Sequence, residues 1–236
     1  MLNLDWPQIR LVVFDVDGTL YDQSCLRRKM IRQLSLHCLR HPGDIGVLRV
    51  ISTYRRCREQ LADEESDRIG DLQYERPAAR LGIDAEEVRR TVQDWMLERP
   101  LGHLRSCRYA NVADWVTALR AQGKTVAVFS DYPATEKLRA LDLGIDLVVS
   151  AVDPEVDCLK PRPQGLQRLL ELTGVAPHQA VLIGDRDDRD GECARRAGVS
   201  YLIKSREPAV DGHQFQDYGH LVRSLHSDRA ENAALQ

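Results

Sequence analysis

Residues 11–20 of the 236-residue chain read Leu-Val-Val-Phe-Asp-Val-Asp-Gly-Thr-Leu, an apolar run that ends in two closely spaced aspartates. The β-branched and aromatic side chains of the apolar part predict a short buried strand over residues 11–14. Gly18 breaks the strand pattern, so a sharp turn should follow. Because side chains alternate along a strand, Asp15 and Asp17 should point the same way.

Two carboxylates this close repel each other, by about 4 kcal/mol at a separation of about 4 Å and an effective dielectric near 20. A divalent cation, a shared proton, or both must offset that repulsion. The alternative is a strand followed by an aspartate-rich turn that has no catalytic or binding role. The apolar strand in front and the Gly-Thr-Leu behind favour a functional site.

The composition is that of an ordinary globular protein, with 43% hydrophobic and 29% charged residues and a net charge of −3. Such a charge gives no reason to expect nucleic-acid or membrane-surface binding. The six cysteines have neither zinc-ligand spacing nor a C-x-x-C pair, and scattered thiols fit a reducing compartment. Without a signal-like or membrane-spanning apolar run, we expect a cytoplasmic protein.

Residues 22–99 show helical periodicity and no strand-like segment, whereas helices and strands alternate from residue 111 onward. The expected helices of the first part include one over 67–81, interrupted before Pro77, and one capped by Asp84. We expect a catalytic core made of residues 1–21 and 100–226, an all-helical cap over 22–99, and a disordered tail over 227–236.

The later alternation predicts strands over residues 125–129, 147–150, 180–183 and 199–203, with helices between them. One of these helices should open at Lys160, and a last helical turn should cover 220–225. Strands and helices that alternate in this way form βαβ units with right-handed crossovers. The fold class is therefore α/β, a Rossmann-like parallel sheet core with the helical cap inserted after the first strand.

Charge is unevenly distributed within the expected cap. Residues 22–58 carry nine basic and two acidic side chains, whereas residues 59–75 carry seven acidic and one basic side chain. In one interpretation the two segments pack side by side and neutralise each other. In the other, some of the arginines face an anionic substrate.

Polar residues follow the predicted strands at the carboxyl edge of the sheet, where open α/β sheets bind ligands. Asp15 and Asp17 follow the first strand, Ser130 the second and Asp185 the fourth, while Lys160 begins a helix at the same edge. Each has a structural alternative: Ser130 and Asp131 as a helix cap, Lys160 as a surface lysine, and 184–190 as a charged loop. Their joint order favours a single site.

That order resembles the haloacid dehalogenase-like hydrolases, a superfamily of aspartate-nucleophile phosphatases. Asp15-x-Asp17-Gly18-Thr19 is similar to the first family motif, residues 126–130 to the second, Lys160 to the third, and Gly184-Asp185-x-x-Asp188-x-Asp190 to the fourth. An insertion between the first two motifs resembles the C1 caps of members such as phosphoglycolate phosphatase.

The resemblance implies a role for each residue. Asp15 would be the nucleophile that forms an aspartyl-phosphate, and Asp17 the general acid and then base. Lys160 would restrain the charge of Asp15 and bind the phosphoryl group. The implied substrate-binding residues are Gly18, Thr19, Ser130, Asp131 and Lys160. Mg²⁺ would be held by Asp15, the Asp17 carbonyl and Asp185, with either Asp188 or Asp190 as a further acid.

The expected function is a Mg²⁺-dependent phosphatase acting on a small phosphorylated metabolite. Asp131 departs from the family, in which Asn is frequent at this position, and adds a negative charge near an anionic substrate. A dehalogenase would not need Asp17. A phosphomutase on the same core and a regulatory or partner-binding protein of the same fold both stay open, as does the oligomeric state.

Overall fold

A parallel sheet forms the centre of the protein. A computed structural model describes residues 4–205 and 212–223. The strands in this part of the chain are β1 (Leu11–Phe14), β2 (Thr125–Ser130), β3 (Leu147–Ser150), β4 (Ala180–Gly184), β5 (Ser200–Lys204) and β6 (Gln214–Phe215). Their order is β3-β2-β1-β4-β5-β6, and every neighbouring pair is parallel. The predicted Rossmann-like α/β fold is confirmed.

The five predicted strands are all present, with ends that differ from the prediction by at most one residue. The sequence does not predict β6, because two residues are too few to show a strand period.

The helices are α1 (Gln23–Arg40), α2 (Gly46–Asp63), α3 (Ile69–Leu81), α4 (Ala85–Val92), α5 (Leu101–Leu104), α6 (Val112–Ala121), α7 (Thr135–Leu141), α8 (Gln164–Thr173) and α9 (Glu192–Ala197). π-Helical turns cover Gln93–Glu98 and Asp187–Gly191. Residues 218–223 are also helical, so the predicted last turn begins two residues early; its predicted end and the tail over 227–236 lie outside the described residues. No helix of the described part is long and apolar enough to cross a membrane.

The position of β1 explains why the site forms where it does. β1 is hydrogen-bonded to β2 on one side and to β4 on the other, with Phe14 in register with Val128 and Ile183. All of β1 is buried; alternate residues enter the apolar layers on opposite faces of the sheet. The residues after β1 and β4 therefore leave the sheet side by side, at its carboxyl edge.

Helices α1 to α4 lie between β1 and β2 in the chain and, with the π-helical turn, make up the segment that we call the helical insertion (residues 22–99). The predicted cap is present, because Asp84 accepts from the N–H group of Glu86; Asp22 also caps α1 and accepts from the N–H groups of Ser24 and Cys25. Whether the insertion is a domain with these boundaries stays a prediction.

Two predictions about helices are wrong. α3 is not interrupted before Pro77; the proline is buried within the helix, which packs between α2 and α4, and this packing outweighs the loss of one N–H. The helix expected to open at Lys160 begins only at Gln164. Pro161 and Pro163 account for this, because the residue before a proline is disfavoured in helical conformation.

The acidic segment of the insertion pairs with the core. Glu59 lies 3.0 Å from Arg186 and 3.2 Å from Arg189, and Glu65 lies 2.8 Å from Arg196. Further pairs join Asp63 to Arg189 and Asp67 to Arg162. We call this set of contacts the ionic seam. The interpretation in which residues 59–75 neutralise residues 22–58 is therefore wrong for these four acids, whose partners come from the loops after β3 and β4 and from α9.

A buried arginine joins the same helix to the core. Arg58 of α2 is 4% exposed, donates to the side chain of Gln73 in α3, and donates to the carbonyl oxygen of Asp131 at 2.6 Å. Tyr54 donates to the same Gln73 oxygen at 2.7 Å. A buried guanidinium thus ties α2 to α3 and to the loop after β2.

We expect Arg58→Met to lower the free energy of unfolding by about 2–4 kcal/mol, because it removes the hydrogen bonds of a buried guanidinium to Gln73 and to the carbonyl of Asp131. Arg55→Met is a matched control on the same helix, since Arg55 is exposed and has no ion-pair partner among the described residues. Urea denaturation of both variants checks this, and equal losses in the two would contradict it.

Candidate active site

A buried lysine organises the carboxyl edge of the sheet. Nζ of Lys160 lies 2.6 Å from Oδ1 of Asp15 and 2.6 Å from Oδ1 of Asp190. The lysine is 2% exposed, and Asp15 and Asp190 are buried as well. Burial lowers the pKa of the Lys160 ammonium, but the charges of Asp15 and Asp190 outweigh it and raise that pKa well above its usual value. Lys160 is therefore a fixed positive charge.

Three carboxylates meet beside this lysine. Asp15, Asp185 and Asp190 each offer an oxygen, and these atoms all lie within 4.8 Å of one another. Two glycines allow the close approach: a Cβ at Gly18 would lie 2.1 Å from Oδ2 of Asp185, and one at Gly184 would lie 2.4 Å from Oδ2 of Asp190. Gly18 also has a φ of +98°, which disfavours other residues.

The three carboxylates fit a hard divalent cation. Oxygen ligands of an octahedral Mg²⁺ lie about 3–4 Å apart, so small side-chain movements would bring this donor set onto one ion. The pKa of Asp185 is raised to about 7, mainly by burial and next by the charge of Asp190, although the charge of Lys160 opposes the shift. Burial likewise raises the pKa of Asp15 well above its usual value, against the effect of Lys160. The three carboxylates together thus carry more negative charge than Lys160 alone can balance.

The fourth motif left a choice between two acids, and the structure separates them. Asp190 is buried at the cluster, where it also accepts from the backbone N–H groups of Asp185 and Arg186 at 3.2 and 3.1 Å. Asp188 has a side chain that is 65% exposed and lies 2.7 Å from Arg186. Only Asp190 is brought to Asp15 and Lys160.

Asp17 stands apart from the three carboxylates. Nζ of Lys137 lies 2.7 Å from both of its oxygens, and the Tyr21 hydroxyl donates to Oδ1. Burial raises the pKa of Asp17, but the charge and hydrogen bonds of Lys137 and the hydrogen bond from Tyr21 outweigh it, so the pKa lies below its usual value. Asp17 is held as a carboxylate.

Sequence reasoning missed Lys137 and Tyr21. A lysine in the first turn of α7 opposes the helix dipole, and such a residue at the carboxyl edge of the sheet is a signal that could have been used. Tyr21 carries no comparable signal, because nothing in its neighbours indicates where its hydroxyl points.

A cavity of about 430 Å³ lies at this edge of the sheet. Five of the predicted site residues line it: Asp15, Asp17, Asp131, Lys160 and Asp185. Gly18, Thr19 and Ser130 are not among its lining residues. Ser130 is completely buried, and its Oγ accepts from the N–H of Tyr132 at 3.2 Å.

Two side chains predicted to bind substrate also contact the site residues themselves. Asp131 accepts from the backbone N–H of Lys160 at 3.1 Å, so its carboxylate holds the lysine loop in place. Thr19 donates to Oδ2 of Asp15 at 3.3 Å.

The sequence model of one family, "haloacid dehalogenase-like hydrolase", matches residues 9–198, which include every residue of this site. The chain belongs to this family of hydrolases. A phosphoglycolate phosphatase of Shigella dysenteriae is 27% identical over 213 residues, covering 82% of this chain and 80% of that protein. A glyceraldehyde 3-phosphate phosphatase of Methanopyrus kandleri is 29% identical over 199 residues, covering 81% and 82%.

Solved structures of the family have the same fold. A 2-haloacid dehalogenase from Pseudomonas syringae pv. Tomato superposes with a TM-score of 0.66 at 20% identity, covering 93% of this chain and 99% of that one. A HAD phosphatase from Thermococcus onnurineus superposes with a TM-score of 0.55 at 18% identity, covering 92% and 98%.

We expect Mg²⁺ to stabilise the protein more at pH 8 than at pH 5.5. A carboxyl whose pKa is raised on folding binds its proton more tightly in the folded state, so stability without a cation falls as the pH rises from about 4 toward 7 and above. Deprotonated carboxylates are also the form that binds Mg²⁺. At about 100 times the Kd the melting temperature should rise by about 5–10 °C, as measured by calorimetry.

Two variants make the test specific. Asp185→Asn should melt higher than the wild type without Mg²⁺, because one repelling charge is gone, and should lose the Mg²⁺-dependent rise. Asp188→Asn should keep that rise. Equal Mg²⁺ effects in both variants, or at both pH values, would contradict the cation site.

Proposed function

We propose that the protein is a Mg²⁺-dependent phosphatase that hydrolyses a small phosphate monoester through an aspartyl-phosphate on Asp15. The observation that carries this proposal is the position of Asp15, in contact with Lys160 and lining a cavity that the helical insertion encloses. Relatives named as phosphatases, aligned over about four fifths of the chain, support the same reaction class.

Phosphoryl transfer depends on in-line positioning and on stabilisation of charge. In the first step an oxygen of Asp15 attacks phosphorus, and the bond from phosphorus to the leaving-group oxygen breaks. Lys160 stabilises the negative charge that is shared between Asp15 and the phosphoryl oxygens. Mg²⁺, held by Asp15, Asp185 and the Asp17 carbonyl with Asp190 beside them, would neutralise phosphoryl charge.

Asp17 is assigned the proton transfers. Its lowered pKa suits the second step, in which a carboxylate takes a proton from the water that attacks the aspartyl-phosphate. To protonate the leaving group in the first step, Asp17 must carry a proton, which in continuous turnover is the one it took from water in the preceding cycle, so its ion pair with Lys137 must be open at that point. Binding of a dianionic ester close to Lys137 would favour that opening, because the ester competes for the ammonium.

The helical insertion supplies the enclosure. Side chains of α1 and α2 line the cavity above the carboxylates, so a bound ester would be covered and water restricted. Substrate choice is therefore assigned to the insertion and the chemical step to the edge of the sheet.

Asp15→Asn should remove hydrolysis of phosphate esters while leaving the fold intact, because an amide is not a nucleophile for phosphorus. Enzymatic acceleration of phosphate-monoester hydrolysis reaches up to ~10²¹, so the loss should be many powers of ten. Phosphate release from p-nitrophenyl phosphate checks this, with a circular dichroism melt as the control for folding. Turnover near the wild-type rate in a folded variant would exclude Asp15 as nucleophile.

Asp17→Asn should cost more with an alkyl phosphate than with p-nitrophenyl phosphate, whose leaving group departs without a proton. General acid catalysis is typically worth 10²–10⁴-fold, and the difference between the two substrates should be about that size. Steady-state kinetics on both esters measure it. Asp188→Asn, an exposed carboxylate at the same edge, should change neither rate. Equal losses on both esters in Asp17→Asn would exclude Asp17 as the acid.

A further inference from the structure

The cavity of about 430 Å³ is polar at one end and apolar at the other. Asp15, Asp17 and Lys160 form the polar end, which we call the floor. Side chains of the helical insertion form the apolar end, which we call the upper wall: Met30, Ile31, Leu34, Leu48, Ile51 and Trp95. A volume of this size is typical of pockets that bury a drug-sized ligand and is more than a phosphoryl group with two or three carbons would fill.

The order of side chains along α1 shows how the two ends are arranged. The helix begins next to the site, and its lining residues include Gln23, then Arg27, then Ile31, then Leu34. Each step is three or four residues, so these side chains form one stripe that leads away from the floor.

α2 has the same arrangement in the opposite direction along the chain. Its lining residues begin with Leu48 and Ile51 and continue with Arg55 and then Arg58, which is bonded to the core; Glu59 and Ala62 follow at the core end of the helix. In both helices an arginine therefore stands between the floor and the apolar residues. We call the level of Arg27 and Arg55 the neck.

The arginines of the neck are available to a ligand. Arg27 and Arg55 are exposed, and among the described residues neither has an ion-pair partner. They add positive charge between the floor and the upper wall. The other charged residues of the insertion that line the cavity, Arg58 and Glu59, lie at the core end of α2 and not beside the upper wall.

Parts of the upper wall are exposed although they are apolar. Ile31 is 58% exposed and Leu48 52% exposed, and both face the same cavity. Covering apolar surface of this kind is favourable by about 25 cal/mol per Å². A leaving group that lies against the wall would gain that free energy, whereas a sugar or a second anion would lose hydration there.

We propose that the substrate is a phosphate monoester with an extended apolar leaving group that is uncharged at its far end. This inference rests on the proposed phosphatase function, because it places the phosphoryl group at the floor. From Arg27 to Leu34 the helix rises by about 10 Å, which an extended chain of roughly eight carbons would span.

The test is a chain-length series of alkyl phosphates, from ethyl through butyl and hexyl to octyl phosphate, used with Mg²⁺ below micelle-forming concentrations. We expect kcat/KM to rise about two- to fourfold for each added methylene, and at least about 50-fold from ethyl to octyl. A carboxylate at the far end of the octyl chain should cancel most of the gain, and glycerol 3-phosphate should be hydrolysed more slowly than hexyl phosphate.

Two variants test whether the effect of chain length depends on the upper wall. Leu48→Asn places a polar amide on the upper wall and should flatten the series. Leu39→Asn is the matched control: Leu39 is 79% exposed on α1 and does not line the cavity, so the series should be unchanged. An unchanged series in Leu48→Asn would overturn the placement of the leaving group.

The outcomes separate the two proposals. A flat series, or a preference for glycerol 3-phosphate, overturns the apolar leaving group while hydrolysis itself supports the phosphatase. If no ester is hydrolysed, the proposed function fails, and binding of octylphosphonate and ethylphosphonate to the wild type, measured by calorimetry, still tests the cavity. Tighter binding of octylphosphonate, lost in Leu48→Asn, supports the assignment; equal affinities overturn it.

Discussion

The contact of one ammonium with two carboxylates governs the geometry of this protein's site. Nζ of Lys160 is equally close to Asp15 and Asp190, and all three groups are buried. Removing charges from water is costly, and buried ion pairs often contribute little net stability. With Asp185 added, three carboxylates share one lysine, so the edge of the sheet keeps an excess of negative charge. An arrangement that costs stability in this way is typical of a functional site.

Most of the site could be predicted from the sequence because its residues follow strand ends. A parallel sheet brings those ends to one edge whatever the loops do, so Asp15, Asp185 and Lys160 were placed together correctly. The choice between Asp188 and Asp190 could not be made, since both lie in a π-helical turn whose side-chain directions the sequence does not show. Lys137 contacts Asp17, which lies 120 positions earlier in the chain, and Arg58 contacts Asp131, which lies 73 positions later. The sequence alone does not show contacts over such separations.

Contacts between distant parts of the chain also explain the errors in the predicted fold. Pro77 breaks an isolated helix, but α3 is held from both sides by its neighbours. The charge balance of residues 22–75 showed correctly that the acids need cationic partners. It could not show which ones, because the arginines of the ionic seam come more than ninety residues later in the chain.

Membership of the haloacid dehalogenase-like hydrolases does not by itself show whether the reaction takes place at phosphorus or at carbon. Structural similarity at about 20% identity shows only the fold. The residues of this chain favour a phosphatase. Asp17 is half-buried, is oriented by two donors and lines the cavity, and a reaction at a carbon–halogen bond has no protonated leaving group that would need it.

The ionic seam has a consequence for how the cavity could open. Its contacts join the end of α2 and the loop between α2 and α3 to the core, whereas α1 meets the core through hydrogen bonds such as Lys29 to Ser106. Several carboxylates of the seam are more than half exposed, so dissolved ions reach them. At physiological ionic strength the Debye length is about 8 Å and becomes shorter as salt is added. Added salt should therefore weaken the ionic seam on one side of the enclosure, where the buried Arg58 still holds α2, and should change the hydrogen bonds of α1 less.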